Sequence, residues 1–251
     1  MAFPRTSGPV IDVALTRADL RAADVAVVVD VLRATSTATR ALAAGYRSVL
    51  CAESVELALT LCGPGRVLAG ERRCVAPPGF DQGNSPQEAA RRRGDELVLA
   101  TTNGAPAIVA ATRHAPVVLV ACLLNLDAVI AALEGADVQV VCAGTDGAVA
   151  LEDVYVAGRI CAGLSGRRTD AARVAEGVAR AYRTPLGALA QSAGAEALRV
   201  ADLAGDIDDC AQESTLEVVG RVRSTTAGIA RVVDANATAD PQPAGTLRVA
   251  S

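Results

Sequence analysis

The stretch VAVVVDVLRATSTATRALAAG, residues 25–45, holds the local pattern that decides the fold class. Five apolar residues, Val25–Val29, have the length and β-branched composition of a buried strand. Asp30, Arg33 and three hydroxyl residues follow at once, and an alanine-rich helical segment then runs to Gly45. Because a carboxylate at the end of a buried strand is costly to desolvate, Asp30 is expected to have a functional partner.

The same strand-then-helix pattern recurs along the chain. Further strands are predicted at Ser48–Cys51, Arg66–Ala69, Leu97–Ala100, Val117–Ala121 and Val138–Ala143, and Leu151–Arg180 is predicted to be helical. This alternation is typical of βαβ units, so it predicts an α/β fold with a mainly parallel sheet and helices on both faces. The 251 residues suit one domain, 1–251, with a weak boundary near 144–152 and a frayed tail at 240–251.

Composition excludes several classes of function. A formal net charge of -4 without a basic stripe argues against nucleic acid as a partner, and no apolar run reaches membrane-spanning length. The 7 cysteines form no CxxC pair, which is typical of reduced thiols in a cytoplasmic protein. The chain has no lysine, so Schiff-base chemistry is excluded and arginine is the main cation for an anionic ligand. A homodimer is the default expectation for its assembly.

Polar residues follow most of the predicted strands, and ligands of open parallel sheets collect at the carboxyl ends of the strands. These polar positions are Asp30, Arg33, Thr35, Ser36, Glu71, Arg72, Thr101, Thr102, Asn103, Gly104, Asn125, Glu152 and Asp153. Hydroxyl and amide groups beside helix N-termini bind oxyanions, and Arg33 and Arg72 add charge-assisted contacts. The acidic members are the ligand type that Mg²⁺ prefers, so metal-assisted phosphoryl transfer or hydrolysis is predicted.

Each of these features also has a purely structural interpretation, which the sequence leaves open. Thr35 and Ser36 are ordinary residues for the start of a helix, and Asn103-Gly104 is a common turn pair. Glu152 and Asp153 suit the first turn of a helix, where acids interact favourably with the helix dipole.

Three phosphatase signatures fit in part. Cys161 and Arg167 have the spacing of the cysteine phosphatases but lack the preceding strand. His114 follows Arg113 as in the histidine phosphatases, but Ala115 replaces the required glycine. Asp30–Thr35 comes closest to the haloacid-dehalogenase-type DxDx(T/V) signature. Leu32 occupies the position of its general acid, however, and leucine cannot protonate a leaving group.

A set of motifs, in order, resembles the 2-phosphosulfolactate phosphatase family over about residues 25–166. These motifs are DVLRATST (30–37), AGER (69–72), GFDQGNSP (79–86), TTNGA (101–105), Asn125, CAG (142–144) and LEDVYVAG (151–158). GFDQGNSP and TTNG are specific in combination. The later DLAGDIDDCAQES segment, residues 202–214, resembles the family only loosely.

The resemblance implies a three-layer α/β/α fold and a Mg²⁺-dependent acid phosphatase. The implied reaction converts 2-phospho-3-sulfolactate to 3-sulfolactate and phosphate, a step in coenzyme M biosynthesis of methanogens. Asp30, Glu71 and one or both of Glu152 and Asp153 would hold Mg²⁺ or act as nucleophile or base. By this resemblance Arg33, Ser36, Thr101, Thr102 and Asn103 would bind the oxyanions, and Asn84 and Ser85 would shape the loop over the site. Arg33 is also a candidate catalytic residue beside Asp30 and Glu71, and the further candidate substrate-binding residues are Thr35, Arg72, Gly104 and Asn125.

Two questions stay open at this stage. The reaction can proceed through a phospho-aspartate at Asp30 or through direct attack of metal-activated water, and both routes use a carboxylate there. The chain can also be a haloacid-dehalogenase-like phosphatase acting on another small ester, or a protein that binds a small phosphate or sulfonate without turnover.

Overall fold

The computed structural model of the protein describes residues 8–237, so the predicted tail at 240–251 lies outside the described residues. The strands are β1 (Val10–Ala14), β2 (Val25–Val29), β3 (Ser48–Ala52), β4 (Arg66–Gly70), β5 (Glu96–Ala100), β6 (Val117–Ala121), β7 (Val138–Cys142), β8 (Arg167–Arg168), β9 (Gly220–Thr226) and β10 (Ile229–Asp234). All six predicted strands are confirmed to within one residue at each end. The pattern did not predict β1, β8, β9 or β10.

The helices alternate with the strands as far as α7. They are α1 (Ala34–Ala43), α2 (Val55–Leu59), α3 (Pro86–Ala89), α4 (Gly104–Ala111), α5 (Leu126–Ala132), α6 (Leu151–Gly163), α7 (Asp170–Ala181), α8 (Pro185–Leu189), α9 (Ala193–Val200) and α10 (Gly205–Cys210). Within residues 8–237, no helix is both long enough and apolar enough to cross a membrane.

The predicted helix at 151–180 is wrong in one respect, because it is interrupted between α6 and α7. Arg168, in β8, donates hydrogen bonds to the carbonyl oxygens of Cys161 (2.8 Å) and Leu164 (2.6 Å). It thereby satisfies backbone acceptors that the end of α6 leaves without a helical partner. The chain then pairs with β1 before α7 begins.

One ten-stranded sheet has the order β4-β5-β3-β10-β9-β6-β2-β7-β1-β8. Six of the neighbouring pairs are parallel, and the three that involve the β9–β10 hairpin and its neighbours are antiparallel. Three successive reversals separate β3 from β6. The β3-β5-β4 block therefore runs opposite to the β6-β2-β7-β1-β8 block along the sheet.

Alternate residues of the strands pack against helices on opposite faces, which confirms the three-layer α/β/α architecture. Val27 and Val29 of β2 face a core that includes residues of α6 and α7. Ala26 and Val28 face α1 and α4, and Val49 and Cys51 of β3 belong to the same core. The layer formed by α1 and α4 thus covers strands of both blocks.

Candidate active site

The turn that leads from β2 into α1 is held together by its own hydroxyl residues. Thr35 Oγ1 donates to the carbonyl oxygen of Asp30 at 2.8 Å and accepts from the Asp30 amide at 3.1 Å. Ser36 Oγ donates to the Val31 carbonyl oxygen at 2.8 Å. Both side chains are fully buried. Thr35 and Ser36, both predicted to bind oxyanions, thus stabilise the turn. This agrees with the purely structural interpretation that the sequence left open for them.

The Asp30 carboxylate lies where the start of α4 meets the start of α1. Its Oδ1 accepts a hydrogen bond from the Ala34 amide at 3.1 Å. Its Oδ2 faces Gly104, where a Cβ would lie 2.4 Å from Oδ2 and 2.4 Å from the Ala34 Cβ. Only glycine permits this approach. Among the described residues, no donor is bonded to Oδ2, so this oxygen is available to a ligand.

The carboxyl ends of β2 and β5 converge here although their blocks run in opposite directions. Neighbouring strands are twisted by roughly 20–25° relative to each other, so the strand direction turns by more than about 100° from β2 to β5. A twist of this size lets the ends of β2 and β5 approach each other, as the contact between Asp30 and Gly104 requires. A flat sheet would have placed Asp30 and Gly104 at opposite edges.

Four predicted metal-site carboxyls interact electrostatically around this point. Burial raises the pKa of Asp30 to about 7, and the charges of Glu71 and Glu152 add to the effect, while the Ala34 amide and Arg33 oppose it. Burial, and then the charges of Asp30 and Glu152, hold the pKa of Asp153 well above its ordinary value. Burial also raises the pKa of Glu152. A set of buried carboxyls like this one favours either protonation of its members or the binding of a cation.

The four carboxyls differ in how many of their oxygens are already used. Asp153 accepts from the amides of Val31 (2.9 Å) and Gly144 (3.1 Å), one on each oxygen. Glu71 likewise accepts from the amides of Thr102 (2.8 Å) and Cys74 (3.2 Å). Asp153 and Glu71 therefore join loops that follow different strands.

Glu152 differs, because its Oε2 is buried and has no hydrogen-bond partner among the described residues. A Cβ at Gly194 would lie 2.2 Å from its Oε1. Within residues 8–237, no group of three or more histidine, cysteine or acidic residues is arranged to hold a metal ion. The structure thus does not gather the four predicted metal ligands into one cluster, and it leaves open oxygens on Asp30 and Glu152.

Arg33 is buried and paired with an acid from the far end of the chain. Its Nη1 lies 2.5 Å from Asp206 Oδ2. Ser85 Oγ donates to the other Asp206 oxygen at 2.8 Å. These three residues border a cavity of about 460 Å³ that is also lined by Cys74 and Arg91.

The TTNG segment, residues 101–104, forms the turn from β5 into α4 beside Asp30. Thr101 Oγ1 accepts from the Ala105 amide at 2.9 Å, at the start of α4. Asn103 Oδ1 accepts from the Asp146 amide at 3.2 Å and so links the loops after β5 and β7. Thr102 contributes its backbone amide to Glu71. The structure shows these residues organising the site, with Gly104 in direct contact with Asp30.

Two predicted binding residues are engaged elsewhere. Asn125 is fully buried, and its amide accepts from Cys122 (3.0 Å) and donates to the carbonyls of Val120 (3.2 Å) and Val218 (3.0 Å). It anchors the end of β6 to the chain that leads into β9. Arg72 is half-buried and donates to the Glu71 carbonyl oxygen at 2.8 Å.

The loop between β4 and α3 carries buried amide groups without partners. Asn84 Oδ1, and both amide atoms of Gln82, are buried and make no hydrogen bond with the described residues. An unpaired buried polar atom costs about 1–3 kcal/mol, so these groups suit a bound polar molecule. Sequence reasoning missed Gln82, although it lies within the GFDQGNSP motif. It also missed Asp206, which no local pattern separates from Asp208.

The structure argues against the two phosphatase signatures that depend on cysteine and histidine. Cys161 lies inside α6, and burial raises the pKa of its thiol to about 12, so a thiolate nucleophile is not available there. Arg167 is exposed in β8, and His114 is exposed in the turn that follows α4.

Comparison with known proteins agrees with the motifs. A family model described as 2-phosphosulpholactate phosphatase matches residues 12–225. A protein of Thermus thermophilus named probable 2-phosphosulfolactate phosphatase is 44% identical over 198 residues, which cover 75% of this chain and 84% of the relative.

Two further relatives carry the same activity in their names. A probable 2-phosphosulfolactate phosphatase of Deinococcus radiodurans is 38% identical over 236 residues, 90% of this chain and 92% of the relative. The 2-phosphosulfolactate phosphatase of Methanothermobacter thermautotrophicus is 44% identical over 142 residues, 56% of this chain and 61% of the relative. The span matched by the family model, residues 12–225, contains the core of the fold together with Asp30, Glu71, Gly104 and Glu152. The chain therefore belongs to the 2-phosphosulfolactate phosphatase family.

Proposed function

We propose that this chain hydrolyses the phosphate monoester of 2-phospho-3-sulfolactate, releasing 3-sulfolactate and inorganic phosphate. Membership of the family supports a phosphoric monoester hydrolase, and the names of the relatives support this substrate. The observation that carries the proposal is the Asp30 carboxyl, buried at the end of β2 with one open oxygen and a pKa of about 7.

The substrate's charge suits the groups around Asp30. Phosphosulfolactate carries a phosphate, a sulfonate and a carboxylate, so its site needs cations and hydrogen-bond donors. Arg33 places a buried guanidinium beside Asp30, close enough to lower the pKa of the carboxyl. The unpaired amides of Gln82 and Asn84 supply neutral donors and acceptors in the neighbouring loop.

Mg²⁺ is the proposed cofactor, with Asp30 and Glu152 as its protein ligands. The support is the open Oδ2 of Asp30 and the unpartnered, buried Oε2 of Glu152, both hard oxygen donors. Mg²⁺ is commonly held by one or two carboxylates together with substrate phosphate and water. When bound, the ion would neutralise charge on the phosphate oxygens. The chain itself keeps Glu71 and Asp153 bonded to backbone amides and presents Asp30 to the substrate.

Asp30 has two possible roles, as the attacking nucleophile or as a group that only binds and orients. Beryllofluoride distinguishes them, because it forms an acyl-phosphate mimic on a nucleophilic carboxylate. Mass spectrometry and crystallography would show the adduct on Asp30 in the first case. No adduct at saturating beryllofluoride and Mg²⁺ would contradict the nucleophile role.

The substrate proposal is tested by phosphate release from a panel of esters, with Mg²⁺ or with a chelator. We expect kcat/KM for phosphosulfolactate to exceed that for phospholactate and aryl phosphates by tenfold or more, and activity to disappear with the chelator. Equal rates on all esters would indicate a general phosphatase, and tight binding without phosphate release would indicate a binding protein. Asp127→Asn, an exposed change in α5, serves as the control variant.

Three expectations about the protein's surroundings stay predictions. A cytoplasmic location is tested by cell fractionation, and a homodimer by light scattering. The negative formal net charge of -4 predicts no binding to nucleic acid, which an electrophoretic shift assay at low salt would test.

A further inference from the structure

Asp206 connects the C-terminal part of the chain to the candidate active site. It lies in α10, 173 positions after Arg33, yet its two oxygens meet Arg33 Nη1 at 2.5 Å and Ser85 Oγ at 2.8 Å. The exposed fractions of Arg33, Ser85 and Asp206 are 3%, 7% and 4%. Three distant segments of the sequence thus share one charged contact that water barely reaches.

A buried ion pair of this kind adds little to the stability of the fold by itself. Removing two charges from water carries a desolvation penalty that the attraction between them often only balances. Apolar residues of similar volume often replace such a pair without loss of stability. The charged pair makes physical sense when the geometry of the guanidinium has a use.

That use is visible in the surroundings of Arg33. A guanidinium has five N–H donors, and among the described residues Asp206 is bonded to Nη1 alone. The positive charge of Arg33 also reaches Asp30, whose pKa it lowers. Arg33, Ser85 and Asp206 all border the cavity of about 460 Å³. The guanidinium is thus held through Nη1 by Asp206, and its other N–H donors are left for a ligand in the cavity.

We propose that Asp206 is a positioning residue, which fixes the Arg33 guanidinium so that its remaining N–H groups bind an oxyanion of the substrate. The proposal rests on the proposed function in one respect, because it takes Arg33 as a ligand of the anionic substrate. Ser85 completes the arrangement by bonding to the second oxygen of Asp206, which holds the carboxylate in one orientation.

A second contact from the same part of the chain supports the assignment. The first turn of α9 lies against Glu152, where a Cβ on Gly194 would come within 2.2 Å of Oε1. The segment 193–210 therefore touches both a candidate oxyanion-binding residue and a candidate metal ligand. It thus brings the C-terminal part of the chain to the candidate site.

The test compares Asp206→Asn with Asp209→Asn, a matched change on the same helix. Asp209 accepts two hydrogen bonds from Arg40, at 2.7 and 3.2 Å. Arg40 lies in α1, the helix that begins directly after Arg33. Each variant removes the acidic partner of an ion pair that α10 makes, with Arg33 just before α1 in one case and with Arg40 inside α1 in the other. Only the Asp206 change reaches Arg33.

We expect Asp206→Asn to weaken binding of inorganic phosphate, measured by calorimetry, about tenfold or more, as the loss of one charged hydrogen bond would. KM for the substrate rises by a similar factor, and kcat falls less. Asp209→Asn changes both constants less than about twofold. Equal changes in the two variants would overturn the proposal, since they would show a general effect of packing between α10 and α1.

A double-mutant cycle provides a readout that a merely structural residue would not alter. In an Arg33→Met background, adding Asp206→Asn should leave phosphate affinity unchanged, because the positioned group is already gone. An additive loss in the double variant would contradict positioning through Arg33. If Asp206→Asn does not fold, Asp206→Glu and Asp209→Glu replace the pair, since each keeps the charge and displaces the partner by one methylene group.

These outcomes are separable from the failure of the proposed function. If the wild-type chain binds phosphate but does not hydrolyse phosphosulfolactate, the substrate assignment is wrong, while the effect of Asp206→Asn on phosphate binding still supports positioning. If the wild type hydrolyses phosphosulfolactate and Asp206→Asn binds phosphate as tightly as the wild type, the positioning role is wrong and the function stands.

Discussion

At Asp30 the fold favours one protonation state of the carboxyl and the proposed chemistry requires the other. Burial, together with nearby acids, favours its neutral form, whereas a metal ligand or nucleophile has to be ionised. A cation bound beside Asp30 resolves the conflict, because its positive charge favours the ionised form of the carboxyl. The metal-free protein should therefore carry a cost at neutral pH that a titration can reveal.

Replacing Asp30 with asparagine should stabilise the metal-free protein at high pH. The pKa of about 7 lies above the ordinary 3.8, so the stabilising contribution of the neutral carboxyl is complete below about pH 3.8 and is lost as the pH rises through 7. Asparagine keeps the neutral form throughout. We expect Asp30→Asn to be more stable than the wild type by on the order of 2–4 kcal/mol at pH 8, and nearly equal at pH 4.

Urea unfolding with a chelator present measures this difference, and the same variant should lose phosphatase activity by orders of magnitude. The exposed change Asp127→Asn controls for the general effect of removing one charge. A wild type as stable as Asp30→Asn at pH 8 would show that the carboxyl is not strained by burial.

The thiol of Cys161 should be dispensable for activity. It is buried in α6 with a pKa raised to about 12, so it cannot attack phosphorus as a thiolate near neutral pH. We expect Cys161→Ala to retain kcat within about twofold of the wild type per folded molecule, with at most a modest loss of stability from the smaller side chain. An inactive but folded variant would revive the cysteine-phosphatase interpretation.

At the scale of the elements, the starts of α1 and α4 build the site by meeting over Asp30. Gly104, the first residue of α4, lets the helix approach the carboxylate closely enough to enclose it. This contact depends on the absence of a side chain, so a single methyl group tests the geometry.

Gly104→Ala should reduce kcat/KM by at least tenfold and destabilise the fold, since the new Cβ would lie 2.4 Å from both Asp30 Oδ2 and the Ala34 Cβ. Gly177→Ala is the matched control, because it lies in α7 with no neighbouring atom within 4 Å. That change should leave activity unaltered and stabilise the helix by roughly 0.5–1 kcal/mol. Activity assays and thermal melts of both variants measure the contrast, and wild-type activity in Gly104→Ala would contradict the site geometry.

At the scale of the whole molecule, the β9–β10 hairpin joins the two blocks of the sheet, and a charged cluster ties it to β3 and β5. Arg231 of β10 lies 2.5 Å from Glu96 Oε1, and Ser48 and Arg66 donate to the same carboxylate. Burial alone would raise the pKa of Glu96, but the hydrogen bonds from Arg231, Arg66 and Ser48 outweigh it and lower the pKa to about 2.

Glu96→Gln should therefore destabilise the entire fold in a pH-dependent manner. Because the folded pKa is depressed from 4.5 to about 2, the contribution is present above about pH 4.5 and is lost as the pH falls through 2. We expect a loss of about 2–3 kcal/mol at pH 7 that shrinks towards pH 2.5, measured by urea unfolding. Glu196→Gln, which breaks an exposed pair with Arg199, should cost less than about 1 kcal/mol. Equal losses in the two variants would show that the cluster does not hold the blocks together.

Much of the central architecture was predictable, because its signal is local. The six β-branched runs predicted as strands are strands, and their alternation with helices predicts the layers. The hairpin was not predictable in the same way: β9 carries Arg221, Arg223 and three hydroxyl residues, a polar pattern without the apolar run of a central strand. The break after α6 was missed because Arg168 ends that helix through contacts with carbonyl oxygens, which leave no periodic trace.

The sequence by itself determined the α/β class, the family and the identity of the acids at the strand ends, since each depends on neighbouring residues or on ordered motifs. Only the tertiary structure decided which of those acids keep an open oxygen, because backbone amides that include those of Thr102 and Val31, far away in sequence, occupy Glu71 and Asp153. It also decided that Asp206 holds Arg33 across 173 positions of sequence. Such pairings depend on how the twisted sheet brings strand ends together, and no local pattern encodes that closure.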